Sequence, residues 1–215
     1  MNHFVFCHGF GFDTQFWERI APYFSQEKCS FIDLGYFGNR VDNTHLCNQR
    51  IIGIGHSVGL SKLISMYSTF DYLIGLNSFV NFLGSDQIER KKRQKELNAL
   101  RLSFLKDPDS AIRNFYIRCD IEELIECTDF SNLNLDLILS EFEWLQKEYK
   151  LPEVPTLILS SNDDLVVPYT ITSDNFSKQQ YIKIDSIMNG GHALGFRKPL
   201  EVYRKIMSFL NDTTA

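Results

Sequence analysis

Residues 51–59 read IIGIGHSVG, and this stretch decides the fold. The apolar residues 51–54 are typical of a buried strand, and a helical pattern follows residue 59. Between them lies a G-x-S-x-G pentapeptide, in which a sharp strand-to-helix turn projects a serine hydroxyl above a sheet, where a substrate can reach it. Gly55 and Gly59 are required because the turn is tight and its backbones pack closely. Ser57 is therefore the candidate nucleophile.

The composition indicates an ordinary globular domain. The chain has 215 residues, of which 44% are hydrophobic and 23% charged, and its net charge is −5. This charge provides no global attraction for nucleic acid or anionic membranes. The first residues contain no signal-peptide pattern, and no apolar run approaches the roughly 20 residues of a membrane-spanning helix. We expect a cytoplasmic monomer with neither membrane insertion nor a nucleic-acid partner.

The five cysteines are odd in number and scattered, and none forms a C-x-x-C pair. This pattern favours reduced thiols over a disulfide framework or a zinc site, so we expect no metal. Cys7 and Cys119 are predicted to be small buried apolar residues, with a thiol near the active site as the alternative.

Strand and helix patterns alternate along most of the chain. Helical spacing follows Ser57 and Pro199, and Asp13 is suited to cap a helix carrying apolar residues from Phe16 to Phe24. The apolar runs are continuous, as expected for strands covered on both faces. They predict a mostly parallel sheet of about six strands with helices on both sides. The runs lie at residues 4–7, 29–34, 51–54, 72–76, 156–159 and 181–184.

The alternation stops between residues 80 and 150, where three or four helices are predicted and no strand is. Asp107 begins a turn and cap signal, and an apolar stripe at helical spacing runs from Leu135 to Tyr149. We therefore expect an α/β core at residues 1–79 and 151–215, with an all-helical cap inserted at residues 80–150 after the fourth strand.

A serine needs a base to remove its proton and an acid to orient that base. In this architecture both should follow the serine, at the ends of later strands. The fifth predicted strand leads to Asp163 and Asp164, and the sixth leads to His192. The candidate triad is therefore Ser57, Asp164 and His192, with Asp163 as the alternative acid.

The oxyanion requires two backbone N–H donors. One is expected from Val58, directly after the nucleophile. The other is expected from the loop after the first strand, where flanking glycines allow Phe10 to turn its N–H toward the site.

These segments resemble the α/β-hydrolase superfamily. The resemblance is carried by HGFG at residues 8–11 with Trp17, DLGYFG at 33–38, GHSVG at 55–59, DLVVP at 164–168 and GHA at 191–193. In that family the acid precedes a Val-Pro pair by this spacing, which favours Asp164. Two features depart from the pattern: Leu60 stands where a small residue is usual, and one or two strands usually precede the first strand seen here.

Within the superfamily the chain is most similar to the pimeloyl-[acyl-carrier protein] methyl ester esterases of biotin synthesis. The similarity implies hydrolysis of a carrier-borne methyl ester without a cofactor. It also implies that substrate contacts come from Phe10, Trp17, Phe115 and Cys119. For Phe115 and Cys119 the alternative is packing in the core of the cap.

A basic run in the predicted cap is suited to an acidic carrier protein. The candidate docking residues are Arg90, Lys91, Arg93, Arg113 and Arg118. The alternative is a solvated helix face, which is the usual explanation for a run of charges.

The leading hypothesis is a serine carboxylesterase. Alternatives are a thioesterase, a general short-chain esterase or a C–C bond hydrolase or lyase that uses the same triad. Epoxide hydrolase and dehalogenase chemistry is disfavoured, because it needs a carboxylate at position 57. A hydrolase-like binding protein without activity is the alternative from a different class.

Overall fold

Six strands form one parallel sheet in the computed structural model, which describes residues 2–44 and 49–213. Their order across the sheet is β2-β1-β3-β4-β5-β6, and every neighbouring pair is parallel. The strands are β1 (Asn2–Cys7), β2 (Lys28–Ile32), β3 (Arg50–His56), β4 (Tyr72–Leu76), β5 (Thr156–Ser161) and β6 (Ile182–Ile187). The predicted fold class is confirmed.

Seven α-helices accompany the sheet within the described residues. They are α1 (Gly59–Met66), α2 (Gln87–Lys106), α3 (Pro108–Arg118), α4 (Leu135–Trp144), α5 (Tyr169–Phe176), α6 (Leu194–Arg197) and α7 (Pro199–Asp212). Short 3-10 helices span Thr14–Trp17, Ala21–Phe24, Glu122–Ile125 and Phe130–Asn132. None of the helices described is both long and apolar enough to cross a membrane.

The helix predicted from Asp13 to Phe24 is instead two separate 3-10 turns. Asp13 does act as a cap, since its side chain accepts a hydrogen bond from the Gln15 N–H at 2.8 Å. The second turn begins around Pro22, which lacks an N–H and whose ring would clash with the carbonyl four residues earlier. One continuous α-helix through this position is therefore disfavoured.

The central strands form the core. Phe4, Val5 and Phe6 on β1 are completely buried, as are Ile52 and Ile54 on β3. Strands covered on both faces have continuous apolar sequences, which is why these runs were recognisable. Of the five cysteines, Cys47 lies outside the described residues, and the other four are free thiols.

The strand order has a switch point between β1 and β3. The chain passes from β1 to β2 on one side and then returns to add β3 on the other side of β1. In open parallel sheets, such a reversal leaves a crevice at the carboxyl ends of the two strands, and ligands bind there. The loop after β1 and the turn after β3 therefore meet at the expected position for a site.

Residues 80–150 contain three α-helices, and one aspartate defines the corner between the first two. Asp107 ends α2, and its carboxylate accepts from the Ser110 N–H to cap α3, whose first residue is Pro108. The predicted turn and cap are thus present.

The predicted stripe ending at Tyr149 extends beyond its helix, because α4 stops at Trp144. The Tyr149 ring folds back and stacks on Trp144, with ring centroids 4.8 Å apart. Its N–H also donates to the Val80 carbonyl at 2.9 Å. Leu145 therefore still follows the helix as its C-cap, since its N–H donates to the Glu141 carbonyl, whereas Tyr149 lies beyond the helix end.

Candidate active site

Ser57 occupies the sharp turn between β3 and α1. Its backbone has φ 53°, in the left-handed region that a non-glycine residue rarely adopts. A Cβ at Gly55 would lie 2.4 Å from the Leu60 backbone, and one at Gly59 would lie 2.3 Å from the Cys7 carbonyl oxygen. Both glycines are therefore required by close backbone approach. Because the Ser57 N–H donates to the Leu76 carbonyl at 3.0 Å, it is not free to bind an oxyanion.

His192 and Asp164 form the second part of the candidate triad. His192 Nδ1 lies 2.8 Å from Asp164 Oδ2, and the exposed fractions of the two residues are 1% and 5%. Since a carboxylate accepts, Nδ1 carries the proton and Nε2 is the basic nitrogen. Nε2 is buried and has no hydrogen-bond partner among the described residues. It is therefore available to a hydroxyl proton.

The two neighbouring aspartates have different contacts. Asp164 Oδ1 accepts from the N–H groups of Val166 and Val167, which leaves Oδ2 for His192. Asp163 Oδ1 instead accepts from the N–H groups of Gly190 and Gly191, each at 3.1 Å. The geometry thus gives Asp164 the position beside the base, and Asp163 orders the loop that carries it.

The loop after β1 lies against the serine turn. A Cβ at Gly9 would lie 3.1 Å from the Ser57 Cβ, so the absence of a side chain allows this approach. The N–H groups of Phe10 and Val58 donate to no other group in the described part of the chain. Both are free to bind a ligand oxygen, and their role as oxyanion donors stays a prediction.

An aromatic cluster from residues 80–150 covers this site. The Phe10 ring contacts one phenylalanine from each of α2, α3 and α4, with centroid distances of 5.7 Å to Phe104, 5.3 Å to Phe115 and 5.7 Å to Phe142. Ser57 is only 5% exposed beneath this layer. Access to the serine therefore depends on how these helices pack.

A cavity of about 490 Å³ lies between α2 and α3. Its lining is largely apolar and includes Leu97, Leu100, Phe115 and Val166, with Lys106 and Arg118 among its charged residues. Phe115 lines the cavity and also packs on Phe10, and Val166 is two residues from Asp164. The cavity is therefore next to the candidate site, although Ser57 does not line it.

Trp17 and Cys119, the other two residues predicted to contact substrate, are both buried against protein groups. Trp17 is buried against Phe6 and Phe16, with centroid distances of 5.1 and 4.8 Å. Cys119 is completely buried, and its carbonyl accepts from the Ala193 N–H at 3.3 Å. Burial raises the pKa of the Cys119 thiol well above its usual value, so the thiol stays neutral. Substrate contact by either residue stays a prediction.

The residues predicted to dock a carrier protein differ in how exposed their side chains are. Lys91 is exposed, whereas Arg93 is only 7% exposed and contacts Glu89 and Thr170.

The three remaining arginines already contact protein groups. Arg90 donates to the Gly84 carbonyl, Arg113 pairs with Asp109 at 2.9 Å, and Arg118 donates to the Leu165 carbonyl. Of these three, Arg113 is paired with a carboxylate, whereas Arg90 and Arg118 are exposed and bind backbone carbonyls, so carrier docking by the five residues stays a prediction.

Sequence reasoning missed two polar residues that contact the loop of His192. Asn77 and His56 are completely buried, and both donate to the His192 carbonyl oxygen. The available signal was position: Asn77 directly follows the apolar β4, and His56 ends β3. Polar residues at the carboxyl ends of parallel strands are well placed for a site.

No three His, Cys, Asp or Glu side chains within the described ranges form a group suited to a metal ion.

No protein-family profile and no curated protein matches the sequence. The structure, in contrast, is similar to many solved ones. Bromoperoxidase from Bacillus anthracis superposes with a TM-score of 0.77 at 17% identity, over 98% of this chain and 92% of that one.

The chain has the α/β-hydrolase fold. An esterase from Exiguobacterium antarcticum also gives a TM-score of 0.77, at 14% identity over 98% of this chain and 92% of that one. MenH from S. aureus gives 0.77 at 16% identity, over 100% and 95%. At these identities the similarity concerns the fold.

Proposed function

We propose that this protein is a serine carboxylesterase. The observation that carries the proposal is the 2.8 Å contact between His192 Nδ1 and Asp164 Oδ2, which leaves Nε2 without a partner among the described residues. The His192 ring lies 4.7 Å from the ring of His56, the residue directly before Ser57. A base oriented by a buried carboxylate is what a serine nucleophile requires.

In the proposed reaction, Ser57 Oγ attacks the ester carbonyl while His192 Nε2 takes its proton. Asp164 holds the imidazole tautomer and stabilises the imidazolium. The N–H groups of Phe10 and Val58 bind the oxyanion. His192 then protonates the leaving alkoxide, and the acyl group stays on Ser57. In the second half, His192 removes a proton from water, which attacks the acyl-enzyme and releases the acid.

The proposal is tested with a fluorescent phosphonate that reacts with activated serines. We expect one label per chain in the wild type and none in Ser57→Ala. Ser65→Ala is the matched control, since it removes a nearby hydroxyl on α1, the helix that follows the serine turn, and this hydroxyl donates to the Ser61 carbonyl. Absence of labelling in the wild type would favour the hydrolase-like binding protein instead.

For the substrate, we propose a methyl ester borne by an acidic acyl carrier protein, as in the pimeloyl step of biotin synthesis. The largely apolar cavity of about 490 Å³ supports an acyl chain. Its lining contains two basic and two acidic residues, so the support for an anionic carrier comes from the exposed Arg90 and Lys91 on α2. Cleavage of pimeloyl-acyl-carrier-protein methyl ester by the wild type and not by Ser57→Ala is the expected result.

A panel of thioester and ester substrates distinguishes the proposed methyl ester esterase from a thioesterase or a general short-chain esterase with the same triad. If carrier-borne or free thioesters are cleaved faster than the methyl ester, the proposed function changes from carboxylesterase to thioesterase. If only short p-nitrophenyl esters are cleaved, the serine-esterase proposal stands and the proposal of a carrier-borne substrate is wrong.

A further inference from the structure

The backbone carbonyl of His192 is held by more donors than a loop carbonyl usually has. Its oxygen accepts from Asn77 Nδ2 at 2.8 Å, from His56 Nε2 at 3.0 Å and from the Leu194 N–H at 2.9 Å. Only the last belongs to the same loop. The two side chains come from the ends of β3 and β4, so the candidate base is attached to the centre of the sheet.

His56 is the residue directly before Ser57, and its ring has little freedom. It stacks on Phe16 with a centroid distance of 4.3 Å and an interplanar angle of 21°. Because a carbonyl only accepts, His56 Nε2 carries the hydrogen and Nδ1 is bare. A Cβ at Gly9 would lie 2.7 Å from that Nδ1, so the Gly9 backbone fills the space beside it. One residue thus connects the backbone of the nucleophile with that of the base.

Asn77 connects the remaining strand ends. Its N–H donates to the Leu159 carbonyl, and its Oδ1 accepts from the Ser161 N–H at 2.7 Å. Its Nδ2 donates to both Gly191 and His192 carbonyls at 2.8 Å. The backbone has φ 46°, a conformation that asparagine tolerates better than most residues. Both polar atoms of this side chain are used, Oδ1 to fix the end of β5 and Nδ2 to fix the loop after β6.

We propose that His56 and Asn77 are positioning residues, which together form a carbonyl clamp on His192 and set the place of its ring relative to Ser57. This inference rests on the proposed serine hydrolase mechanism. Proton transfer requires the two reacting groups within hydrogen-bond reach, and a misplacement of about 1 Å costs on the order of 100-fold in rate. The clamp fixes the backbone of His192 while Asp164 fixes its ring.

The charge state of His56 is compatible with this role. Burial lowers the pKa of His56 well below its usual value, and the nearby His192 lowers it further. The two rings are 4.7 Å apart, so a charged His56 would oppose formation of the His192 imidazolium. A neutral donor holds the carbonyl without that repulsion.

Three variants test the clamp, and a fourth, Phe16→Leu, is the packing control. His56→Phe keeps an aromatic ring on Phe16 but removes the donor, and His56→Gln keeps an amide donor at similar reach. Asn77→Asp keeps the acceptor for the Ser161 N–H and tolerates the positive φ, but replaces the Nδ2 donor with oxygen. Phe16→Leu disturbs the same packing and leaves both hydrogen bonds in place.

With p-nitrophenyl acetate, we expect kcat of His56→Phe and Asn77→Asp to fall about 30- to 100-fold while KM changes less than about threefold, since the clamp positions the base and does not touch substrate. His56→Gln should recover most of the loss, and Phe16→Leu should lose less than about threefold.

Phosphonate titration separates positioning from misfolding. The rate of labelling should fall with kcat, while the final extent stays at one per chain. A final extent that falls in proportion to kcat, or an equal loss in Phe16→Leu, would show a packing role and overturn the clamp. Full activity in His56→Phe and Asn77→Asp would also overturn it. If the wild type itself takes no label and turns over no ester, the proposed function fails first, and the clamp fails with it.

Discussion

The strand-end loops and the helices of residues 80–150 meet at Phe10, but they were predictable to different degrees. The loops after β5 and β6 bring Asp164 and His192 into contact, and His192 also contacts His56, the residue directly before Ser57, although positions 57 and 192 are 135 residues apart in the sequence. Parallel strands end on one edge of the sheet, so their order along the chain already predicts which side chains meet. Helices packed by apolar contacts have no equivalent rule, and their exposed faces and cavity depend on the final packing.

The sharpest test of the strand-end loops compares two adjacent carboxylates. In Asp164→Asn, kcat should fall on the order of 10⁴-fold, because an amide cannot hold the required imidazole tautomer. Asp163→Asn is the matched control, since its remaining oxygen still accepts from Gly190 and Gly191, and we expect a loss below about tenfold. Steady-state kinetics with p-nitrophenyl acetate measure both, and the reverse ranking would exchange the roles of the two aspartates.

A partly buried ion pair joins α1, the helix after the serine turn, to the helices of residues 80–150 and gives the largest expected effect on stability. Lys62 Nζ on α1 lies 2.7 Å from Glu141 Oε1 on α4, and it also lies 3.7 Å from the centre of the Trp144 ring. Lys62→Met should lower the free energy of unfolding by about 3–5 kcal/mol, because it leaves a buried carboxylate unpaired. Urea denaturation measures this change.

The double variant Lys62→Met with Glu141→Leu is the control for that pair. It removes both charges and should restore most of the lost stability, since an apolar pair of similar volume is often neutral. A double variant as unstable as Lys62→Met would mean that packing around Lys62, rather than its charge, joins the helices to the core.

Substitution of Phe115 is expected to change the preference for acyl chain length, by less than the loss of activity in Asp164→Asn. Because it lies between Phe10 and the cavity, Phe115→Ala should enlarge the space beside the serine and raise the ratio of kcat/KM for octanoyl over acetyl p-nitrophenyl esters by about tenfold. Leu102→Ala, on the exposed face of α2, is the control. An unchanged ratio in Phe115→Ala would show that the acyl chain does not enter this cavity.

The smallest effect is expected at the exposed cations. Lys91→Glu should raise KM for the carrier-borne ester by about threefold and leave p-nitrophenyl acetate unaffected, because rim charges act mainly on encounter. Arg93→Gln serves as the comparison, since its buried side chain contacts Glu89 and Thr170. If Lys91→Glu changes KM equally for the carrier-borne ester and for p-nitrophenyl acetate, Lys91 does not dock a carrier protein.

The limits of sequence reasoning can be traced to particular residues. The sheet was predictable because its strands are buried on both faces, and Asp107 was recognisable as a corner because capping depends on local chemistry. The single helix expected after Asp13 was wrong, since Pro22 outweighed the apolar spacing. The exposure of Arg93 and the contacts of Asn77 were not predictable, because both depend on residues about 77 to 115 positions away.

The position of His192 after β6 has a consequence for how activity is lost on heating. Among the described residues, β6 is an edge strand that pairs with β5 alone, whereas β3, which leads into the serine turn, pairs with β1 and β4. Edges of a fold open locally at lower free energy than its centre. Detachment of this strand, together with loss of the clamp contacts on the His192 carbonyl, would separate the candidate base from the candidate nucleophile while most of the sheet stays intact. Thermal inactivation should therefore precede global melting, with turnover disappearing before the far-UV signal of the helices does.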